Sequence, residues 1–327
     1  MALISDELTR SCLQHECKIF NVTPLNYKLV LKLWKPDLLF VESAWQGAGN
    51  SWEYKIAAFP DRPERSNIML RKVVAYARDL GIPSVFWNKE DSVHFERFIS
   101  SASLFDTIFT VDTGCVDLYR QRIDRDIMVN SLMFAVQPKI HNFTGVGKRV
   151  SSANFVGSYS RHLHDRRRER QDMLLFAASS TFGLTVYDRN SNRKSVNYRY
   201  PDYAGIECKK RVPHHKTADI YKNFLVSLNL NTVDDSETMV SRRLLEILAC
   251  GGLAVTTPAR SVEKHFKDYC YVVDSTAEAE ELFFRLRSGY APQDMAMMEG
   301  GAEFILKNHT YAHRLQTILE AIERNRC

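Results

Sequence analysis

The chain has 327 residues, 45% hydrophobic and 25% charged, which is room for two domains of ordinary size, each with its own core. No apolar run approaches the ~18 residues of a membrane span, and seven scattered cysteines without a CxxC pair argue against a disulfide framework or a zinc site. The net charge of +5 is mild and gathers in SRHLHDRRRER and ECKKRVPHHK, so a phosphate-facing surface and a solvated helix face both remain open. The opening MALISDELTR has no basic start and no long apolar core, so we expect no signal peptide and a cytoplasmic protein.

In chain order, MALIS reads as a strand, DELTRSCLQHE as a helix, CKIFNVT as a strand and PLNYKLVLKLW as a helix. PDLLFVES is a near-continuous apolar run, as in a strand covered on both faces. IMLRKVVAYARDLG is a helix ending at Gly81; IPSVFWN, TIFTVD and DIMVNSLMFA are strands separated by the helices SVHFERFISSA and GCVDLYRQR. Around residues 137–152 periodicity stops, and Pro, Gly, Asn and Ser mark a linker and hinge. The alternation restarts with ANFVGSYS, a helix through RRRERQDMLLFAASS, and LTVYDR. Residues 190–215 read as irregular; KTADIYKNF, LVSLNLN, SETMVSRRLLEILAC, LAVTT, RSVEKHF, CYVVDS and AEAEELFFRLRSG continue the alternation. A long helix from Met295 to Arg324 closes the chain, broken near Gly300-Gly301. Such alternation predicts an α/β fold with parallel sheets and right-handed crossovers. The expected limits are 1–142 for the first domain, 143–300 for the second and 301–327 for the terminal helix.

Two such domains would face each other across a cleft, with ligands at the carboxyl ends of the strands. In VSLNLNTVDDSETMVSRRLLEILACGG, Asp235 or Ser236 is a natural N-cap, and from Thr238 the helix would bury Val240, Leu244, Ile247 and Leu248. The free N–H groups of Ser236, Thr238 and Met239 would form an anion site, with Arg242 or Arg243 adding charge-assisted bonds. Glu246 suits a ribose diol; equally, Arg242 and Glu246 make an i, i+4 ion pair on a wet helix. Gly157, Ser158 and Arg161 follow another strand, and Asp188 and Arg189 a third; Asn231 ends the strand before the opening helix. In the first domain Glu42, Glu90, Asp91 and His94 stand at strand ends and supply candidates for a general base. Asp91 could instead be a helix N-cap and His94 a packing residue. Metal signals are weak: His162 and His164 do not share a helix face, and Asp124-Arg125-Asp126 precedes a strand.

Taken together, PDLLFVESAWQG, GIPSVFWNKEDSVHFERF, FDTIFTVD, FAVQP, FVGSYS, VYDR and SLNLNTVDDSETMVSRRLLEILACGGLAVT resemble the CgeB-like glycosyltransferase family, often labelled spore maturation protein CgeB. The resemblance runs from about Met1 to Val273. It implies a GT-B fold: two facing Rossmann-like domains, the donor on the second, and a C-terminal helix crossing back to the first. It also implies a nucleotide-diphosphate sugar donor (UDP-, GDP- or dTDP-linked), no required cofactor and no metal. Thr238, Met239 and Val240 would then hold the diphosphate with Arg242 or Arg243, and Glu246 the ribose. Gly157 and Arg161 would line the phosphates, Asp188 and Arg189 the nucleotide, and Trp87–Asp91 the acceptor. Related families carry Glu at both ends of an E-x7-E motif; here the first position is Thr238 and the second Glu246.

The expected reaction is metal-independent sugar transfer to a hydroxyl of a glycan, lipid-linked glycan or protein. For an inverting transfer the best base is Asp91 or Glu90, then Glu42; for retention the sequence names no nucleophile. A catalytically inactive nucleotide-sugar-binding scaffold and a GT-B epimerase are the alternatives. Positive charge permits peripheral contact with the inner face of a membrane, and the absence of aromatic-interleaved basic motifs speaks against a nucleic-acid partner.

Overall fold

The computed structural model describes residues 1–325. The chain forms two compact α/β units, and each is built on one six-stranded, all-parallel sheet. In the first, β1 (Ala2–Ile4), β2 (Phe20–Asn21), β3 (Leu39–Glu42), β4 (Ser84–Asn88), β5 (Thr107–Thr110) and β6 (Met128–Ser131) lie in the order β2-β1-β3-β4-β5-β6. The central strands are apolar on both faces because helices cover both; Leu39, Phe40 and Val41 are all buried. The helix Ile68–Asp79 buries Leu70, Val73, Val74 and Ala77, an i, i+3, i+4, i+7 stripe. It ends at Leu80, after which Gly81 takes φ +68°, a conformation open to glycine.

In the second unit, β7 (Val150–Gly157), β8 (Leu184–Asp188), β9 (Ile206–Lys210), β10 (Phe224–Leu228), β11 (Ala254–Thr256) and β12 (Tyr271–Val272) run in the order β12-β11-β10-β7-β8-β9. The chain reverses its direction of winding between β7 and β10, and between β1 and β3 in the first sheet. In open parallel sheets such reversals open a crevice at the strands' carboxyl ends.

Four expectations change. Residues 206–210 form edge strand β9, not irregular chain; its IECKK is mostly exposed and polar, so it lacks the apolar signature of a covered strand. The helix expected from Thr238 begins at Arg242, with Ser241 at the N-cap. The break in the terminal helix falls at His309–Thr310, between Pro292–Asn308 and Tyr311–Arg324. Gly300 and Gly301 lie inside the first of these helices, where Gly301 packs close to Tyr269 and Leu248. Asp91 caps nothing: the next helix is Phe95–Ala102, with His94 before it.

The first unit comprises Met1–Phe134, Ser236–Met239 and the C-terminal segment from Tyr311; the second comprises Ala135–Asp235 and Val240–Thr310. Residues 137–149 are therefore part of the second unit and are tied down there. Arg149 donates to the carbonyls of Tyr221, Phe224 and Gly251, and Lys222 donates to Asn142 Oδ1 at 2.8 Å. The last helix joins the first unit, where half-buried Arg314 donates to the carbonyls of Met133 at 2.8 Å and Phe134 at 2.9 Å.

Candidate functional site

The crevice of the second sheet lies where β7 ends at Gly157 and β10 ends at Leu228. Arg243, in the second position of the helix Arg242–Ala249, reaches back into it. Its Nε donates to the carbonyl of Val156 at 2.6 Å, and its guanidinium lies 4.3 Å over the Phe155 ring. A Cβ on Gly157 would meet Arg243 Nη2 at 2.9 Å, so glycine is what lets the guanidinium lie against the strand end. Arg243 Nη1 is buried and makes no hydrogen bond. Burial, followed by the charge of Arg167, holds the Arg243 pKa below its ordinary value.

Arg189 follows β8, and its N–H donates to the Gly157 carbonyl at 2.8 Å. Its side chain keeps surface exposure, yet its crowded surroundings and the charges of Arg242 and Arg243 also lower its pKa. Arg167, from the basic helix Asp165–Thr181, is lowered by burial and donates to Gln171 at 2.9 Å. Burial and neighbouring positive charge thus hold down three guanidiniums, Arg167, Arg189 and Arg243, around one strand end, an arrangement that a dianion relieves.

Glu246 is the buried carboxylate beside them. Its Oε1 accepts from Arg242 Nε at 2.8 Å and pairs with His214 Nε2 at 2.9 Å, while Oε2 has a long contact, 3.4 Å, with the Tyr221 hydroxyl. Burial opposes ionisation, but Arg242, then His141 and His214, outweigh it and hold the pKa well below the ordinary range. The His141 ring lies 4.9 Å from that of His214, tilted to it, and bonds Thr217 Oγ1 at 2.8 Å; burial pushes its pKa down to about 4, so it is neutral at pH 7. His141, His214 and Glu246 bring ligand-type atoms within 4.8 Å of one another. Arg242 already occupies the carboxylate, and the neighbouring guanidiniums oppose a cation there. The Arg242–Glu246 ion pair is real but half sunk, not a wet surface pair.

Other predicted donor residues have different tasks. Ser236 Oγ accepts from the N–H groups of Thr238 and Met239 and donates to Asp112 Oδ1 at 2.6 Å. Thr238 Oγ1 donates to the Val111 carbonyl at 2.9 Å and accepts from Thr113 N–H at 2.9 Å. The N–H groups of Thr238 and Met239 are therefore engaged in a turn within the first unit and are not a helix start. Val240 is buried apolar core. Asn231 Oδ1 accepts from Ser241 N–H at 2.9 Å and so fixes where the helix begins. The Ser158 carbonyl accepts from Gln171. Arg161 is exposed and bonds the Arg199 carbonyl, away from Arg243's strand-end contacts. Asp188 closes its own turn by accepting from Asn190 N–H at 2.8 Å, with its pKa raised by burial.

In the first unit the carboxylates separate by burial. Glu42 is fully buried: Oε1 accepts from Asp6 N–H at 2.7 Å and Oε2 pairs with Lys89 Nζ at 2.6 Å. Asp91 is also fully buried, accepting from Asn88, Thr110 Oγ1 and the Tyr119 hydroxyl at 2.6, 2.7 and 2.9 Å. Burial pushes its pKa up to about 7. Both are enclosed, and neither can meet an acceptor as the structure stands. Glu90 keeps 31% exposure of its side chain, lies 4.0 Å from His94 Nε2, and has its pKa raised by burial against a bond from Trp45. His94 packs edge-on against Trp45 at 5.3 Å.

Sequence reasoning did not single out Arg167, His141, His214 or Tyr221. Arg167 sat inside a charge run, and His214 inside a basic stretch, with no spacing to link either to Glu246.

A family model described as "Glycosyl transferase-like" matches residues 135–320. Among solved structures the chain is similar to an alpha-glucosyltransferase in complex with UDP-glucose and DNA containing an abasic site (TM-score 0.64, 12% identity, 93% of this chain and 85% of that one). It is also similar to Anabaena HepE in complex with UDP and glucose (TM-score 0.57, 10%, 99% and 91%). A third is sucrose-phosphate synthase from Thermosynechococcus elongatus (TM-score 0.55, 9%, 97% and 79%). At such identities the likeness is one of fold: two Rossmann-like, parallel-sheet domains of the GT-B kind. No curated protein sequence matches the chain.

Proposed function

The chain belongs to this glycosyl transferase-like family, and on that premise we propose that it moves a sugar from a nucleotide-diphosphate sugar to an acceptor hydroxyl without a metal ion. The observation that carries the reading is Arg243, a half-buried guanidinium whose buried Nη1 is an unspent donor at the reversal of the second sheet. The donor is a UDP-sugar, as in the UDP and UDP-glucose complexes of two proteins of similar fold. Its diphosphate lies against Gly157, Arg243 and the N-terminus of the helix at Arg242, with Arg189 adding charge. Glu246 Oε1 is taken by Arg242 and His214, and Oε2 keeps acceptor capacity for the ribose diol.

In transfer, the bond from the anomeric carbon to the diphosphate oxygen breaks as one to the acceptor oxygen forms. Charge grows on the leaving diphosphate, and guanidiniums fixed in place stabilise it as a metal does elsewhere. The acceptor's proton needs a base, and among the first unit's carboxylates considered, Glu90 has an exposure and a raised pKa that suit the task better than Asp91 or Glu42. UDP release from UDP-sugars, measured with EDTA present in wild type and Arg243→Ala, tests the reading. A fully active variant contradicts it.

A further inference from the structure

The helical segment Tyr27–Trp34 has two apolar sides where a surface helix needs one. Its inner side buries Val30 and Leu31, and Tyr27 packs edge-on against Tyr76 at 5.7 Å. Its outer side carries Leu29 and Leu33, 65% and 69% exposed, in line with Leu25, 98% exposed, one turn before. Trp34, at the helix end, pairs with Phe20 on edge strand β2, with rings 5.8 Å apart and both exposed. Single exposed leucines are ordinary; five large apolar groups gathered at one edge of a sheet are not. Exposed Lys18, Lys28, Lys32 and Lys35 intersperse them, with Asp37 the exposed carboxylate nearest in sequence.

We propose that this face docks on an anionic lipid bilayer. The leucines and Trp34 enter the boundary between headgroups and acyl chains, and the lysines lie along its surface against lipid phosphates. Charge decides between a bilayer and a second copy of the chain. A two-fold contact through this patch would set the lysines against themselves, whereas an anionic surface accepts apolar and basic groups together. The helix is already anchored by its inner side, so docking needs no refolding. Among the described residues no helix is long and apolar enough to cross a membrane, so the contact is peripheral.

The test is co-sedimentation of the full chain with vesicles of phosphatidylcholine alone, and of phosphatidylcholine and phosphatidylglycerol in equal parts. The chain should pellet with the mixed vesicles and not with the neutral ones, less so as salt rises. Leu29→Glu with Leu33→Glu should lower partitioning at least about tenfold. Lys28→Glu with Lys32→Glu should lower it about as much on mixed vesicles. All four positions are exposed, so an unchanged Tm checks the fold, and unchanged UDP binding separates this result from the donor site. Failure to pellet with mixed vesicles overturns the proposal. So does equal pelleting of the variants, or a wild-type dimer that the leucine variant disperses.

Discussion

Arg243 Nε donates to the carbonyl of Val156 at 2.6 Å, tying the helix that follows β10 to the end of β7. This bond crosses the reversal of the second sheet and leaves Nη1 of the guanidinium buried without a hydrogen bond. Arg243→Ala should lower kcat/KM for transfer about 100-fold or more, the scale of losing one donor to a developing anion. Arg243→Lys should not restore it, because an ammonium is a single nitrogen and lacks the separated, planar donors by which the guanidinium holds Val156 through Nε and keeps Nη1 free. Steady-state kinetics on variants shown by circular dichroism to be folded will check this.

Gly157→Ala tests the same site from the opposite wall. The added methyl would lie 2.5 Å from the Phe155 ring and 2.9 Å from Arg243 Nη2, so one of them must move. A stability loss of about 1–3 kcal/mol, with weaker UDP binding, is expected from such overpacking. Urea unfolding and calorimetry on one preparation measure both.

Glu246 carries a pH signature. Its folded pKa lies well below the ordinary value, so it contributes stability above the unfolded carboxylate pKa of about 4.3, and this is lost as pH falls toward the folded value. Glu246→Gln should cost about 1–3 kcal/mol at neutral pH, since it removes the buried negative charge that Arg242 and His214 bond. The gap between variant and wild type should shrink below about pH 4 in urea unfolding.

Asp91 behaves oppositely. A carboxyl raised from about 3.9 in the unfolded chain to about 7 in the fold favours folding most at low pH. Its contribution declines as pH rises between those values and is flat above. Asp91→Asn should remove that decline from the pH–stability curve while leaving the pH–rate profile its acid limb. Glu90→Gln should lower kcat about 100-fold or more and abolish that limb, which should lie above the ordinary carboxylate range because burial raises Glu90.

Much of the architecture was legible because buried parallel strands such as Leu39–Glu42 and helix stripes such as Leu70–Ala77 write their environment into the sequence. Edge strand β9 was not, since exposed residues carry no such record. Arg243, Gly157 and Glu246 stood out as strand-end and helix-start residues. The helix start itself was misplaced by four residues, from Thr238 to Arg242, because Ser236 and Thr238 bond Asp112 and Val111, far away in sequence. For the same reason local spacing could not separate Glu90 from Asp91: both follow β4, and only the enclosure by Thr110 and Tyr119 distinguishes them.

The most direct measurement is calorimetric titration of UDP into wild type, Arg243→Ala and Glu90→Gln, each with EDTA. The account predicts binding to wild type that EDTA does not change and at least about tenfold weaker binding to Arg243→Ala. Glu90→Gln should bind as wild type does but transfer sugar about 100-fold or more slowly. Equal affinity of Arg243→Ala and wild type, or binding that EDTA abolishes, would contradict the guanidinium-held diphosphate on which the account rests.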